Sequence, residues 1–460
     1  MSRSHIFVFA VSAGLVLNLC IPPFQNPDEP QNFVGVLSYA HSSASPEEIE
    51  GDVIKLMDRN LWWKYIGSGR PEVLPETFAQ MDFVQFHDFR SASNQFVFYQ
   101  FVLGFLVRSI GFSDISHTYY FCRGVSFLFV LASLFILYGA FDKIARRQNK
   151  MYFLPMLFIV FLPQLFLTAI SINPDTLSVF LGSVFFYAAV SLILGEFNTR
   201  HFAFLFIAAG MGLVTDKSNY FMIPMVLILS FFLLGSRKKP LHLSLIAVFI
   251  LAFVLLMSWM AWYFPAQIYH SMNVIRTNII DNTQGFTKLF SSSPFNRRFF
   301  IFLSDSFLLQ FGWMAFKAHS LVYEIWRGVL LAATAGTAVF LVPAFLPKTI
   351  KFFKHKPNPV VFKLAIFCLI AVTIQILALW LSQGLRGDLP QGRYLFPVLF
   401  PAAFLLLLGI KSFFGVLYGK AGTTAMALLI LFEFFFFSFA LWRYIVPVFH
   451  LVLKSPHPGL

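Results

Sequence analysis

Charge is what this 460-residue chain has least of: Asp, Glu, Lys and Arg make up 12% of it, about half the ~25% of a soluble globular domain. That scarcity excludes a water-soluble globule. Cysteine is nearly absent. Cys20, Cys122 and Cys368 all lie in apolar surroundings, which excludes a disulfide framework. The apolar runs do not alternate with polar residues, which excludes an outer-membrane barrel. No A-x-A cleavage site follows the first apolar run at 5–21, and LNLC lacks the small residues that a lipoprotein signal places before its cysteine. The segment therefore reads as an uncleaved first helix. Internal repeats and low-complexity tracts are also missing.

What is present is apolar bulk. Hydrophobic residues form 58% of the chain and mean hydropathy is +0.73. Stretches of about twenty apolar residues recur, the length of a membrane-crossing helix. The expected fold is an all-α polytopic membrane protein, with the 62 phenylalanines facing lipid and filling helix contacts. The net charge of +13 does not imply a nucleic-acid partner. Its basic residues cluster between apolar runs: Lys143, Arg146, Arg147 and Lys150; Arg237, Lys238 and Lys239; Lys348, Lys351, Lys354 and Lys356. Such clusters mark cytoplasmic loops.

Arg3 before the first helix puts the N-terminus in the cytoplasm and the polar stretch from residue 22 outside. The run at 94–112 is long enough to span, but if it did, every later basic cluster would fall outside. Charge parity therefore makes it an interfacial helix. Spans follow at 115–142, 151–171, 175–194, 202–217, 219–235, 243–264, 321–345, 361–383, 394–411 and 422–442, about eleven with the first. Residues 22–114 form a long first extracytoplasmic loop with interfacial helices. Residues 265–320 form a second large loop, with another interfacial helix in SPFNRRFFIFLSDSFLLQFGWMAF. The whole chain, 1–460, is one membrane domain.

The polar residues collect in the outer loops. In QNPDEPQNF (25–33), Asp28 fits a helix N-cap with Pro30 in the first turn and Gln31 at N3. The plain reading is a cap. The functional reading is that Asp28 or Glu29 is a catalytic base. Adjacent helical residues point about 100° apart, so the two cannot flank one bond; one acts and the other orients it. SINPDTLS (171–178) repeats the pattern, with Asn173 as cap and Asp175 at the positive helix end. Lys217 in TDKSNY breaks the positive-inside pattern and suits a phosphate, or is an interfacial lysine. QGLRGDLPQGRYLFP brings Arg386, Asp388 and Arg393 to one loop; arginine favours forked phosphate recognition, and an Arg–Asp pair that only fixes the loop is the alternative. His87, Asp88, Arg90 and Arg123 are further pocket candidates. Glu433, in the middle of an apolar helix, is costly there, at about 2.5–3.5 kcal/mol, and has no partner visible in the sequence.

These residues carry a family likeness. An inner first helix, a long outer loop opening with P-D-E and interfacial helices before the second span resemble the GT-C superfamily of integral-membrane glycosyltransferases. NPDEPQNF, SINPD, the Lys217 turn, FGWMAF and QGRYLFPVL in that order resemble the bacterial membrane-protein family called domain of unknown function 2142. The resemblance implies a GT-C-like bundle, an inverting transferase of the bacterial inner membrane, and a polyprenyl-phosphate-linked sugar donor. The acceptor is an envelope glycan, lipid or protein. Asp28, with Glu29 beside it, matches the essential first-loop acid. Asp175 is similar in place to a second-loop acid that helps some members bind metal or acceptor, so Asp28 and Asp175 are the candidate metal ligands. No D-x-D pair stands in the second outer loop, which leaves a divalent metal open as cofactor, and no large C-terminal soluble domain points to a peptide acceptor. Chemistry agrees with the implied donor. Nucleotide sugars are cytoplasmic, so an outward site needs a lipid-linked sugar. A base must take the acceptor proton, and Lys217, Arg386 and Arg393 are the cations for the leaving phosphate. The rival is a transporter or flippase, which predicts inverted repeats, broken helices and midplane charges.

Overall fold

A computed structural model describes residues 3–26, 28–41, 43–65, 69–81, 97–233, 297–311, 316–345, 358–386, 391–418 and 421–445. In chain order the α-helices are α1 (Arg3–Cys20), α2 (Glu29–Ala40), α3 (Pro46–Arg59), α4 (Trp62–Tyr65), α5 (Phe98–Ile110), α6 (Ile115–Arg147), α7 (Leu154–Val160), α8 (Pro163–Ala169), α9 (Pro174–Ile193), α10 (Thr199–Thr215), α11 (Met222–Leu233), α12 (Arg297–Leu308), α13 (Ser320–Phe345), α14 (Pro359–Arg386), α15 (Leu399–Tyr418) and α16 (Ala421–Ala440). A two-residue antiparallel pair, Gln310–Phe311 with Phe316–Lys317, joins α12 to α13. The expected span at 243–264, with His87, Asp88, Arg90 and Asp388, lies outside the described residues.

By length and composition, seven described helices can cross a bilayer: α1, α6, α9, α13, α14, the segment Gly392–Val416 and α16 with its extension to Arg443. A broken pair makes eight. The chain is a multi-pass membrane protein, and the described residues hold fewer spans than the eleven expected. The α10 helix has 17 residues, the short limit for a roughly 30 Å hydrocarbon core. At 13 residues, α5 is too short to cross.

The expected single helix at 151–171 is instead broken. Lys150–Val160 and Pro163–Ala169 meet at 55°. Pro163 has no N–H to continue the ladder and drives Leu162 into extended backbone, φ −77° and ψ 108°.

Contacts at both ends fix the relation of α6 to α9. Near one end Arg123 of α6 donates to the Ile170 carbonyl just before α9. Near the other, Lys143 Nζ lies 2.7 Å from Ser191 Oγ and 2.6 Å from Glu196 Oε2, and Arg147 holds the second Glu196 oxygen at 2.7 Å. The two helices run parallel, so the broken pair between them must carry the chain back. From Arg123 to Lys143 is about 30 Å of helix. The acids of the 25–33 turn and the basic 143–150 cluster therefore occupy opposite ends of the bundle.

Glu29 anchors the polar end. Its side chain is fully buried, and Oε1 accepts from Tyr119 Oη at 2.7 Å and from the Ile172 amide at 3.1 Å. Arg123 Nε stands 3.9 Å away, while its Nη1 donates to the Ile21 carbonyl at 3.0 Å. Burial pushes the Glu29 carboxyl above its ordinary range, against the pull of Arg123, Tyr119 and the Ile172 amide. One carboxylate thus ties α2 to α6 and to the turn before α9.

Close backbone approach sets the next layer. A Cβ added at Gly182 of α9 would collide with the Pro397 carbonyl, so glycine lets the 3₁₀ segment Gly392–Val398 lie directly on α9. Small residues at such contacts are how helices approach in a membrane.

Two outcomes follow. Glu29→Ala leaves the Arg123 guanidinium buried without its carboxylate, a loss of about 3–5 kcal/mol that thermal unfolding of the solubilised protein will register as a lowered Tm. Gly182→Val overpacks the α9 contact, costing about 1–3 kcal/mol in the same measurement, and Tm equal to that of the native chain would contradict the contact.

Candidate functional site

The turn before α2 adopts an unusual backbone. Asp28 has φ 64° and ψ 0°, the left-handed region, and its side chain makes no capping hydrogen bond. This corrects the expectation of a side-chain cap. Asp is among the few residues that tolerate this region, and the Asp28 carbonyl still accepts the first helical bond, from the Asn32 amide at 2.9 Å. Its carboxylate instead receives Nη2 of Arg393.

Arg393 is held from several sides. The Gly392 amide donates to Ser306 Oγ of α12 at 2.7 Å. Gln375 of α14 donates to the Tyr394 carbonyl at 2.6 Å. Arg393 Nε lies 3.2 Å from Asp175 Oδ2, and Asp175 is fixed by Asn173, which caps its amide at 2.8 Å as expected. The side chains of Arg393 and Asp175 are 7% and 4% exposed, but that of Asp28 is 50% exposed. Arg393 thus joins a buried carboxylate to one that meets the outside.

Beside Arg393 a small polar cleft, about 20 Å³ in water-accessible volume, is lined by Asn26, Gln164, Gln310 and Gln391, by Thr168, Ser171 and Ser306, and by Arg393 itself. Gln164, Thr168 and Ser171 come from α8 and the turn after it, so the break at Pro163 supplies one wall. None of the carboxamides carries a charge or a spacing signature, and sequence reading passed over them.

The other candidates separate. The turn Lys217–Asn219 packs on the Gly392–Val398 segment and is pinned to α9 by Asn219 Nδ2 to Ser178 Oγ at 2.8 Å. The side chains of Lys217 and Arg386 lie outside the described residues. Arg123, expected in the pocket, instead bonds backbone carbonyls beside Glu29 and does not line the cleft. Glu29 is enclosed with Tyr119 rather than open to a substrate. Glu433 is fully buried, with no hydrogen-bond partner for either oxygen among the described residues.

Asp28 and Asp175 do not fit a resident divalent cation as they stand. The Arg393 guanidinium already lies between them, and no group of three His, Cys, Asp or Glu among the described residues could hold a metal ion.

No curated protein and no solved structure matches the chain. A family model described as "Predicted membrane protein (DUF2142)" matches residues 67–401, a stretch that includes Asp175, Lys217 and Arg393 but not the acidic turn at 25–33. The match covers most of the chain, which belongs to this membrane-protein family.

Proposed function

We propose that the protein is an inverting GT-C-type glycosyltransferase that moves a sugar from a polyprenyl-phosphate-linked donor to an envelope glycan, lipid or protein acceptor. Its site faces the extracytoplasmic side of a bacterial inner membrane. The observation that carries this reading is a half-exposed carboxylate, Asp28, ion-paired with a buried guanidinium, Arg393, that lines a polar cleft. The basic 143–150 cluster lies at the far end of the bundle from Asp28, and reading it as cytoplasmic under the positive-inside rule supports an outer position for Asp28.

The chemistry is a single displacement. An Asp28 carboxylate oxygen takes the acceptor's hydroxyl proton as the acceptor oxygen bonds to the anomeric carbon. The bond from that carbon to the phosphate oxygen breaks, and its electron pair leaves with the lipid phosphate. Arg393 offers a planar fork to that phosphate. Before the donor binds, the guanidinium is engaged with Asp28 and Asp175. A phosphate that draws it away frees Asp28 to accept a proton. Glu29 is a positioning residue that holds the start of α2.

The break at Phe161–Leu162 favours a second reading, since discontinuous helices line transporter sites. Movement of a lipid-linked sugar across proteoliposomes without any transferred product would support it.

Asp28→Asn will lower transfer from a radiolabelled polyprenyl-phosphate hexose in proteoliposomes by roughly 10²–10⁴-fold, measured on folded protein because loss of the Arg393 ion pair also lowers Tm; native rates in this variant remove the base assignment. Arg393→Lys keeps the charge and loses the fork. At about 1.5–3 kcal/mol for one charge-assisted hydrogen bond, donor KM will rise about tenfold or more, and an unchanged KM means the guanidinium only fixes the loop.

A further inference from the structure

We infer that the basic end of α6 and the start of α10 form a binding surface for the headgroup of an anionic phospholipid. The inference stands apart from the transferase reading and concerns the opposite end of the bundle. The first observation is how the side chains there are gathered. Lys143 and Arg147 of α6 both hold Glu196. The same turn takes His201 of α10, whose Nδ1 lies 2.9 Å from the Glu196 carbonyl oxygen. The Tyr187 ring of α9 stands beside both, 4.4 Å from Lys143 Nζ and 6.1 Å from the His201 ring. One acidic turn thus draws the ends of α6 and α9 and the start of α10 into a single surface.

The second observation is that charge on this surface is unbalanced. Residues 142–150 and 195–201 carry Lys143, Arg146, Arg147, Lys150 and Arg200 against two carboxylates, Asp142 and Glu196. Arg146 pairs with Asp142 at 2.8 Å, yet its side chain is still 78% exposed. Lys150 and Arg200 are exposed as well. An anion that approaches therefore meets three outward cations, Arg146, Lys150 and Arg200, contributed by two segments of the chain.

Position makes that anion a lipid. Both α6 and α9 are long and apolar enough to cross a bilayer, and both end at this surface. With 33 residues, α6 is about 50 Å long at the helical rise. That exceeds a roughly 30 Å hydrocarbon core, so its last turns stand among the headgroups. On α10, Phe204 and Ile207 are exposed and follow Arg200 at four and seven residues, on one helical face. A phosphate held by Arg200 would lay an acyl chain along that apolar stripe. A second copy of this chain is the poorer occupant, since two such basic surfaces repel each other.

The test titrates the full-length protein in neutral detergent micelles with phosphatidylglycerol and with phosphatidylcholine of the same acyl chains. Bound lipid is counted by native mass spectrometry. Phosphatidylglycerol will bind at least tenfold tighter than phosphatidylcholine. Arg146→Gln, Lys150→Gln and Arg200→Gln will each lower that ratio by up to about fivefold, the worth of one basic residue near an anionic membrane surface. The three changes together will bring it near one. Arg200→Lys, which keeps the charge, will hold the native ratio. So will Arg108→Gln, placed seven residues before α6 begins and hence near its opposite end. Each ratio is taken within one variant, so partial loss of folding does not imitate the effect. Glycerol 3-phosphate, which carries the phosphate without acyl chains, will not displace the bound phosphatidylglycerol at ten times its concentration. A native ratio near one overturns the proposal, as does a triple variant at the native ratio. An equal fall in Arg108→Gln shows only diffuse attraction and overturns the site, and displacement by glycerol 3-phosphate overturns the lipid as its occupant.

Discussion

The polar end of this protein depends on one guanidinium. Arg393 is almost fully buried, and a buried cation persists only where anions and hydrogen bonds offset its lost hydration. Asp175 and Asp28 supply them. Asp28 and Arg393 stand 365 positions apart, so this ion pair joins the turn before α2 to the segment before α15. Asp175 adds the start of α9. Three capped or turned helix ends, each unremarkable alone, become one constellation because a charge at their centre must be neutralised.

Two adjacent acids follow the first helix because they serve opposite ends. Successive helical side chains diverge by about 100°, and the left-handed backbone at Asp28 widens the division. Glu29 turns inward to Tyr119, the Ile172 amide and Arg123, in a space closed to water. Asp28 turns outward to Arg393 and keeps half its surface exposed. The buried acid holds the helix, and the exposed one is thereby held where chemistry is possible. Arg123 belongs to the first task. Its carbonyl bonds to Ile21 and Ile170 bind α6 to the ends of neighbouring segments, and the substrate role expected for it has no geometry behind it.

The broken helix has a similar double character. Because α6 and α9 run parallel, the chain between them must return, and Pro163 divides that return into two short pieces. The division leaves polar residues of α8 and the following turn beside the Arg393 segment. A continuous apolar helix would have turned Gln164, Thr168 and Ser171 through different directions. The same break that shortens a span supplies a wall of the cleft.

The amino-acid sequence alone settled much of this protein. The length and continuity of its apolar runs made it a helical membrane protein, since backbone polar groups in lipid must be satisfied within the segment. Asn173 and Pro174 marked the start of α9 through local hydrogen bonding, and Asp28, Asp175 and Arg393 stood out as charges in turns between apolar runs. Pro163 was visible in FLPQLF, yet whether a proline bends, breaks or merely sits in a helix is decided by what packs around it. Tertiary structure alone decided that Asp28 pairs with Arg393 rather than capping α2, that Glu29 is enclosed, and that four carboxamides share a cleft. Charge and hydropathy are properties of a residue and can be read in order. Pairing across 365 positions and burial of a neutral amide are properties of the packed chain, and they exist only once distant segments have been brought together.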